Sequence, residues 1–109
     1  MWCNVVIAEK YILTCNNDAF LKVYSIDEST KTMIFLSSKS LDTDQEFNNI
    51  NRAIKIISWK NNIVNSLSPT PSGVSTYMTF YLKKKTMLQS GHYPDGNNIY
   101  SLKFKCIMG

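Results

Sequence analysis

The chain has 109 residues, enough for one domain, with a net charge of +4 and three cysteines. Its apolar fraction of 44% excludes a disordered chain, and no apolar run approaches the ~20 residues of a membrane helix. The opening residues "MWCNVVIAEK" lack a basic segment, so a secretory signal is not expected.

Valine, isoleucine, threonine, tyrosine and phenylalanine are plentiful in the chain, whereas alanine appears only three times, and this composition favours strands. A weak strand is predicted at 5–8, followed by strands at 11–15, 20–26 and 32–38, with polar turns at 16–19 and 27–31. In the second of these, Phe20, Lys22, Tyr24 and Ile26 alternate with Leu21, Val23 and Ser25. Residues 39–52 are polar and acidic, and they predict a long loop with at most one helical turn.

The second half continues the pattern. Strands are predicted at 53–59, 63–68, 74–82, 86–90 and 99–107. They are separated by Asn61-Asn62, by "PTPSG" at 69–73, by "KKK" at 83–85 and by "GHYPDGNN" at 91–98. No long amphipathic helical period is present. The sequence therefore predicts an all-β antiparallel meander of about seven to nine short strands, in a single domain spanning 1–109.

An internal similarity is also present. Aligning Trp59 of "AIKIISW" with Phe104 of "NIYSLKF" gives a spacing of 45 residues, which matches a propeller blade of ~40–45 residues. The stretch "LTCNNDAFLKVYSID" resembles the second and third blade strands of the WD-repeat β-propeller family, with Tyr24-Ser25 at the position of the Trp-Asp dipeptide. "SGH" at 90–92 resembles the Gly-His pair before a blade.

This resemblance covers about two degenerate blades, and it implies a fragment of a longer propeller. It implies a non-catalytic scaffold for protein partners, stabilised by a hydrogen-bond network of Thr14, Asp18, Tyr24 and His92. The implied partner contacts are in loops, at Asn16, Asn17, Asp18, Asp42, Asp44, Glu46, Tyr93 and Asp95. Open strand edges would permit self-association. The alternative fold is a small β-barrel or sandwich.

The charge is unevenly distributed. Residues 1–51 have a net charge of −3 and residues 52–109 a net charge of +7. The alternative function is therefore nucleic-acid binding by a small barrel through its basic half. The candidate contacts are Arg52, Lys55, Lys60, Lys83, Lys84, Lys85, Lys103 and Lys105. The competing interpretation is that these lysines protect a sheet edge.

Catalytic and metal sites are not predicted. His92 is the sole histidine, and Ser90 and Asp95 lie too close to it in sequence for a typical triad geometry. Asp42, Asp44 and Glu46 lack the glycine and the distal glutamate of a calcium loop.

The three cysteines, Cys3, Cys15 and Cys106, include no C-x-x-C pair, so no zinc site and no cofactor are predicted. Reduced, buried thiols are expected, and with them a cytoplasmic or nuclear location.

Overall fold

The computed structural model describes residues 10–69, 75–93, 95 and 97–108. The strand predicted at 5–8 lies outside these residues. The strands are β1 (Lys10–Asn16), β2 (Phe20–Asp27), β3 (Thr32–Ser40), β4 (Glu46–Phe47), β5 (Arg52–Ala53), β6 (Lys55–Lys60), β7 (Ile63–Pro69), β8 (Ser75–Tyr81), β9 (Thr86–His92) and β10 (Asn98–Met108). The predicted all-β antiparallel meander is confirmed.

The strands form one continuous sheet in the order β4-β3-β2-β1-β10-β9-β8-β7-β6. A propeller blade is a separate four-stranded sheet. Here β1 pairs with β10, so the strands assigned to two blade-like repeats share a single sheet. This arrangement is a curled half-barrel, and it corresponds more closely to the predicted alternative of a small barrel.

The two edges of the sheet meet at one short segment. β5 pairs with β3 near one edge of the sheet. After Ile54 the chain continues as β6, which pairs with β7 and forms the opposite edge. The Ile54 amide donates to the Met33 carbonyl at 3.0 Å. Residues 52–60 therefore pair with β3 at their start, through β5, and with β7 over the rest of their length, through β6.

The hydrophobic core lies on the inner face of the curl. Tyr24 is 1% exposed, and its ring packs edge-on against Phe80 at 5.0 Å between centroids and stacks on Phe35 at 5.2 Å. Since three strands separate β2 from β8 in the sheet, only a curled sheet brings these rings together. The other buried apolar residues are Leu13, Cys15, Ile26, Met33, Ile54, Val64, Met78, Leu82, Met87, Phe104 and Cys106.

A disulfide joins β1 to β10. Cys15 lies directly opposite Cys106 in the register of these strands, and their sulfur atoms are bonded across a sequence separation of 91 residues. The expectation of reduced thiols is therefore wrong for this pair. Both side chains point inward and are buried, as predicted, but antiparallel pairing places them within bonding reach of one another.

Local chemistry explains the turns. The Asn17 side chain accepts hydrogen bonds from the amides of Ala19 and Phe20, both at 2.8 Å, and so reverses the chain between β1 and β2. The Asp27 carboxylate likewise stabilises the turn between β2 and β3, where it accepts a hydrogen bond from the Ser29 hydroxyl at 2.6 Å. That hydrogen bond holds the pKa of Asp27 below its ordinary value.

Two predicted loops contain more strand than expected. Residues 39–52 hold β4 and the first residue of β5 instead of a helical turn, because β3 continues to Ser40 and pairs with both short strands. Asp44, Asn49 and Asn51 adopt positive φ there, which allows the sharp bends between the short strands. Gly91 and His92, predicted as loop, extend β9.

We expect the disulfide to contribute about 2 to 5 kcal/mol to the free energy of unfolding, because it closes a long loop in the unfolded chain. Urea unfolding of the protein with and without dithiothreitol measures this. The same reductant should leave the C15A/C106A variant unchanged. Equal unfolding midpoints for the oxidised and reduced wild-type protein would contradict the prediction.

Candidate functional site

The antiparallel topology sorts the connections into two groups. Turns 17–19, residues 41–45 and the described residues of 93–97 lie at one end of the strands, which we call the loop end. Turns 28–31, 61–62 and 82–85 lie at the other end, which we call the lysine end. All predicted partner contacts are at the loop end: Asn16, Asn17, Asp18, Asp42, Asp44, Glu46, Tyr93 and Asp95.

The loop end is acidic and exposed. Asp18, Asp42, Asp44, Glu46 and Asp95 are all exposed. Glu46 pairs with Lys39 at 3.7 Å, and Asp95 accepts a hydrogen bond from the amide of Asn97 at 3.0 Å. The other three carboxylates are in no ion pair within the described part of the chain. They are therefore available to a positively charged partner.

Large apolar side chains are exposed beside these acids. Phe47 is 55% exposed, Tyr93 is 52% exposed and Leu41 is 43% exposed. Leu41 is tied to the β1–β2 turn, since its amide donates to the Ala19 carbonyl at 2.8 Å. Exposed aromatic side chains within a charged rim are typical of the anchors of protein interfaces.

The lysine end has the opposite charge. Lys83, Lys84 and Lys85 form the β8–β9 turn, which contacts the β6–β7 turn through a hydrogen bond from the Leu82 amide to the Asn62 carbonyl at 2.8 Å. Lys31 lies over the Trp59 ring, with its Nζ 5.0 Å from the centroid. A groove of about 240 Å³ between the two turns is lined by Asn61, Asn62, Ile63, Tyr81, Lys83 and Lys84.

The predicted nucleic-acid contacts do not form one surface. Lys60 and residues 83–85 lie at the lysine end. Arg52 and Lys55 flank the segment where the sheet edges meet. Lys103 and Lys105 project from the outer face of β10, on either side of the buried Phe104. Lys105 pairs with Thr86 and therefore lies beside the lysine turn. The structure therefore brings together five of the eight cations, namely Lys60, Lys83, Lys84, Lys85 and Lys105.

The hydrogen-bond network predicted from the WD-repeat resemblance is not assembled. Leu13 and Tyr24 are paired and point inward, so Thr14 points to the outer face. The Tyr24 hydroxyl donates to Met78 Sδ at 3.6 Å, and burial raises the pKa of that hydroxyl above its ordinary value. Asp18 is exposed in the β1–β2 turn.

His92 is at the loop end of β9. Its Nε2 lies 3.0 Å from Ser90 Oγ, and its ring packs edge-on against Tyr77 at 5.0 Å. These side chains border a groove of about 460 Å³ across β8, β9 and β10. Asp95 is hydrogen-bonded to Asn97 instead, through both the backbone amide and the side chain.

Lys22 was not predicted as a site residue. It lies opposite the inward-pointing Cys15, so its side chain enters the interior. Its Nζ donates to Gln89 Oε1 at 2.8 Å. The same Nζ is 5.7 to 5.8 Å from the ring centroids of Phe20, Phe35 and Phe104, close enough for cation–π attraction. Burial lowers the pKa of Lys22 from 10.5 to about 8.

A second polar contact supports this lysine. Gln89 is 6% exposed, and its Nε2 donates to the Tyr100 hydroxyl at 3.1 Å. The Tyr100 ring lies over Gly91, where an added Cβ would overlap Tyr100 Cε1. A glycine is therefore required at position 91 for the tyrosine to reach Gln89. Lys22, Gln89 and Tyr100 form a hydrogen-bonded chain from β2 to β9 and β10.

The described residues contain no group of three or more His, Cys, Asp or Glu side chains placed to hold a metal ion. Nor does any helix in them have the length and apolarity needed to cross a membrane.

Comparison with known proteins gives no relative. No family model, no curated protein and no solved structure matches the chain. The resemblance to WD repeats stays a prediction based on sequence.

We expect the lowered pKa of Lys22 to appear in the pH dependence of stability. Between about pH 8 and 10.5 the unfolded chain still holds the proton that the folded chain has released. The free energy of unfolding of the wild type should therefore rise with pH in this window relative to Lys22→Met. Urea unfolding at several pH values measures this, with Lys60→Met as the exposed-lysine control. A constant difference between wild type and Lys22→Met would contradict it.

Proposed function

We propose that the chain is a non-catalytic protein-binding domain and that its partner surface is the loop end. This is also the function implied by the WD-repeat resemblance. The observation that carries the proposal is the exposure of Phe47 next to Glu46 and close in sequence to Asp42 and Asp44. An exposed apolar anchor on a segment that also carries the unpaired Asp42 and Asp44 suits a basic, amphipathic segment of a partner protein.

The fold supplies the rigidity that such a surface needs. The β1–β2 turn is held by Asn17, residues 41–47 are held by the Leu41 amide and by the pairing of β4 with β3, and Asp95 organises the β9–β10 connection. Loops fixed by side-chain hydrogen bonds lose less entropy on binding than free loops do.

The location of the protein is part of this proposal. The expectation of a cytoplasmic or nuclear location rested on reduced thiols. The Cys15–Cys106 disulfide supports an oxidising compartment instead. We infer that the protein binds its partner in such an oxidising compartment.

The proposal predicts the behaviour of three variants in a quantitative pull-down. Phe47→Ser and D42N/D44N should each reduce retention of the specific partner about tenfold or more, by removing the anchor and the charge. The matched control is Ile57→Ser, because Ile57 is also 55% exposed but lies on β6. Retention that survives both loop-end variants, or that Ile57→Ser abolishes equally, would contradict the proposal.

The second candidate function is nucleic-acid binding, and the groove at the lysine end favours it. Lys83 and Lys84 border this groove together with the Tyr81 ring, so phosphate contacts and a stacking surface are adjacent.

This candidate predicts a salt dependence. For a labelled single-stranded oligonucleotide, the K83Q/K84Q/K85Q variant should reduce the slope of log K against log salt by about 2, at ~0.7 per phosphate contact. R52Q/K55Q is the control variant with cations removed elsewhere. An unchanged slope in K83Q/K84Q/K85Q would exclude the lysine end as the binding surface.

A further inference from the structure

The interior around Lys22 has the composition of a ligand site. An ammonium group lies among the rings of Phe20, Phe35 and Phe104, each with its centroid within 5.8 Å of Nζ. Only one hydrogen bond of this ammonium to a described residue is present, the one to Gln89. A lysine ammonium has three donors, so it can still bind an acceptor.

The charge of Lys22 is not balanced by a carboxylate in the described part of the chain. The two ion pairs there are Lys10–Asp27 and Lys39–Glu46, both near the surface. A cation enclosed by apolar rings is costly unless an anion accompanies it. Aromatic faces and one amide oxygen compensate part of this cost, and an incoming anion would compensate more.

The site is accessible from outside. Lys22 is half-buried, so solvent reaches its side chain. Phe20 and Phe35 are likewise only half-buried, so two of the three rings around the ammonium also reach the surface.

We propose that this region binds an organic carboxylate with an apolar body, whose carboxylate pairs with Lys22 and whose apolar part packs on the half-buried rings of Phe20 and Phe35. The charged end requires the ammonium, and the two rings select against small, fully hydrated anions. Gln89 and Tyr100 hold the ammonium in place, since Gln89 accepts from Lys22 and donates to Tyr100.

Matched probe molecules test whether binding requires both a carboxylate and an apolar body. Decanoate and 2-naphthoate carry a carboxylate on an apolar body. Decanol and 2-naphthol lack the charge, and acetate lacks the apolar body. By titration calorimetry on the oxidised full chain, at least one of the two carboxylates should bind at least tenfold more tightly than its neutral analogue and than acetate. Equal binding of the neutral analogue, or no binding of either carboxylate, would overturn the proposal.

Substitutions of Lys22 test whether this residue binds the carboxylate. Lys22→Met should weaken binding of the carboxylate at least tenfold, whereas Lys22→Arg, which keeps the charge, should stay within about threefold of the wild type. Lys39→Met is the control for loss of a lysine elsewhere. Near-UV circular dichroism establishes that each variant is folded. Unchanged binding in Lys22→Met, or equal loss in Lys39→Met, would place the ligand elsewhere and overturn the proposal.

This site does not depend on the proposed protein-binding surface. Phe47→Ser should leave carboxylate binding unchanged, because Phe47 is exposed on β4 and is not among the rings around Lys22. Loss of carboxylate binding in Phe47→Ser would contradict the assignment to the interior.

Discussion

The pairing of β1 with β10 is the constraint on which the rest of the structure depends. Only four residue pairs make this contact, Leu13–Asn16 with Lys105–Met108, and they join parts of the chain that are almost its whole length apart. Such long-range pairing is entropically expensive. The Cys15–Cys106 disulfide reduces that cost by limiting the freedom of the unfolded chain. With this contact in place, β2 lies on one side of the seam and β9 and β8 lie on the other, so Tyr24 can pack on Phe80 and Lys22 can reach Gln89.

The separation of charge between the two ends follows from topology acting on sequence. In an antiparallel meander, successive turns alternate between the two ends of the sheet. Asp18, Asp42, Asp44 and Asp95 fall in the connections of one end, while Lys31 and residues 83–85 fall in those of the other. The two groups of turns nevertheless approach each other at one place. Asn16 pairs with Lys105, and Lys105 pairs with Thr86, so the β1–β2 turn lies only two strands away from the lysine turn at 83–85.

Much of the fold could be predicted from local patterns, and the parts that could not depend on long-range contacts. Runs of branched and aromatic residues between polar turns are the signature that located eight strands, since these side chains fit a pleated, half-buried surface. The two-residue strands β4 and β5 have no such signature, because they exist only through pairing with β3. The disulfide could not be predicted, since its two cysteines are 91 residues apart. For Lys22, a signal was present. It shares the alternating set of Phe20, Tyr24 and Ile26, yet both faces of this strand carry apolar residues, so the alternation alone did not show which face was the interior.

The two proposed binding regions share one structural element, the β1–β2 turn. Asn17 accepts a hydrogen bond from the amide of Phe20, one of the rings around Lys22, and the Ala19 carbonyl of the same turn holds Leu41 at the loop end. A ligand that packs on Phe20 would lie beside the turn that also supports the protein-binding surface. Coupling between two sites requires an element whose state both ligands influence. The turn, fixed by two hydrogen bonds to Asn17, borders both regions. Residues 16–20 therefore provide a route for communication between the interior lysine and the loop end, where both proposals hold.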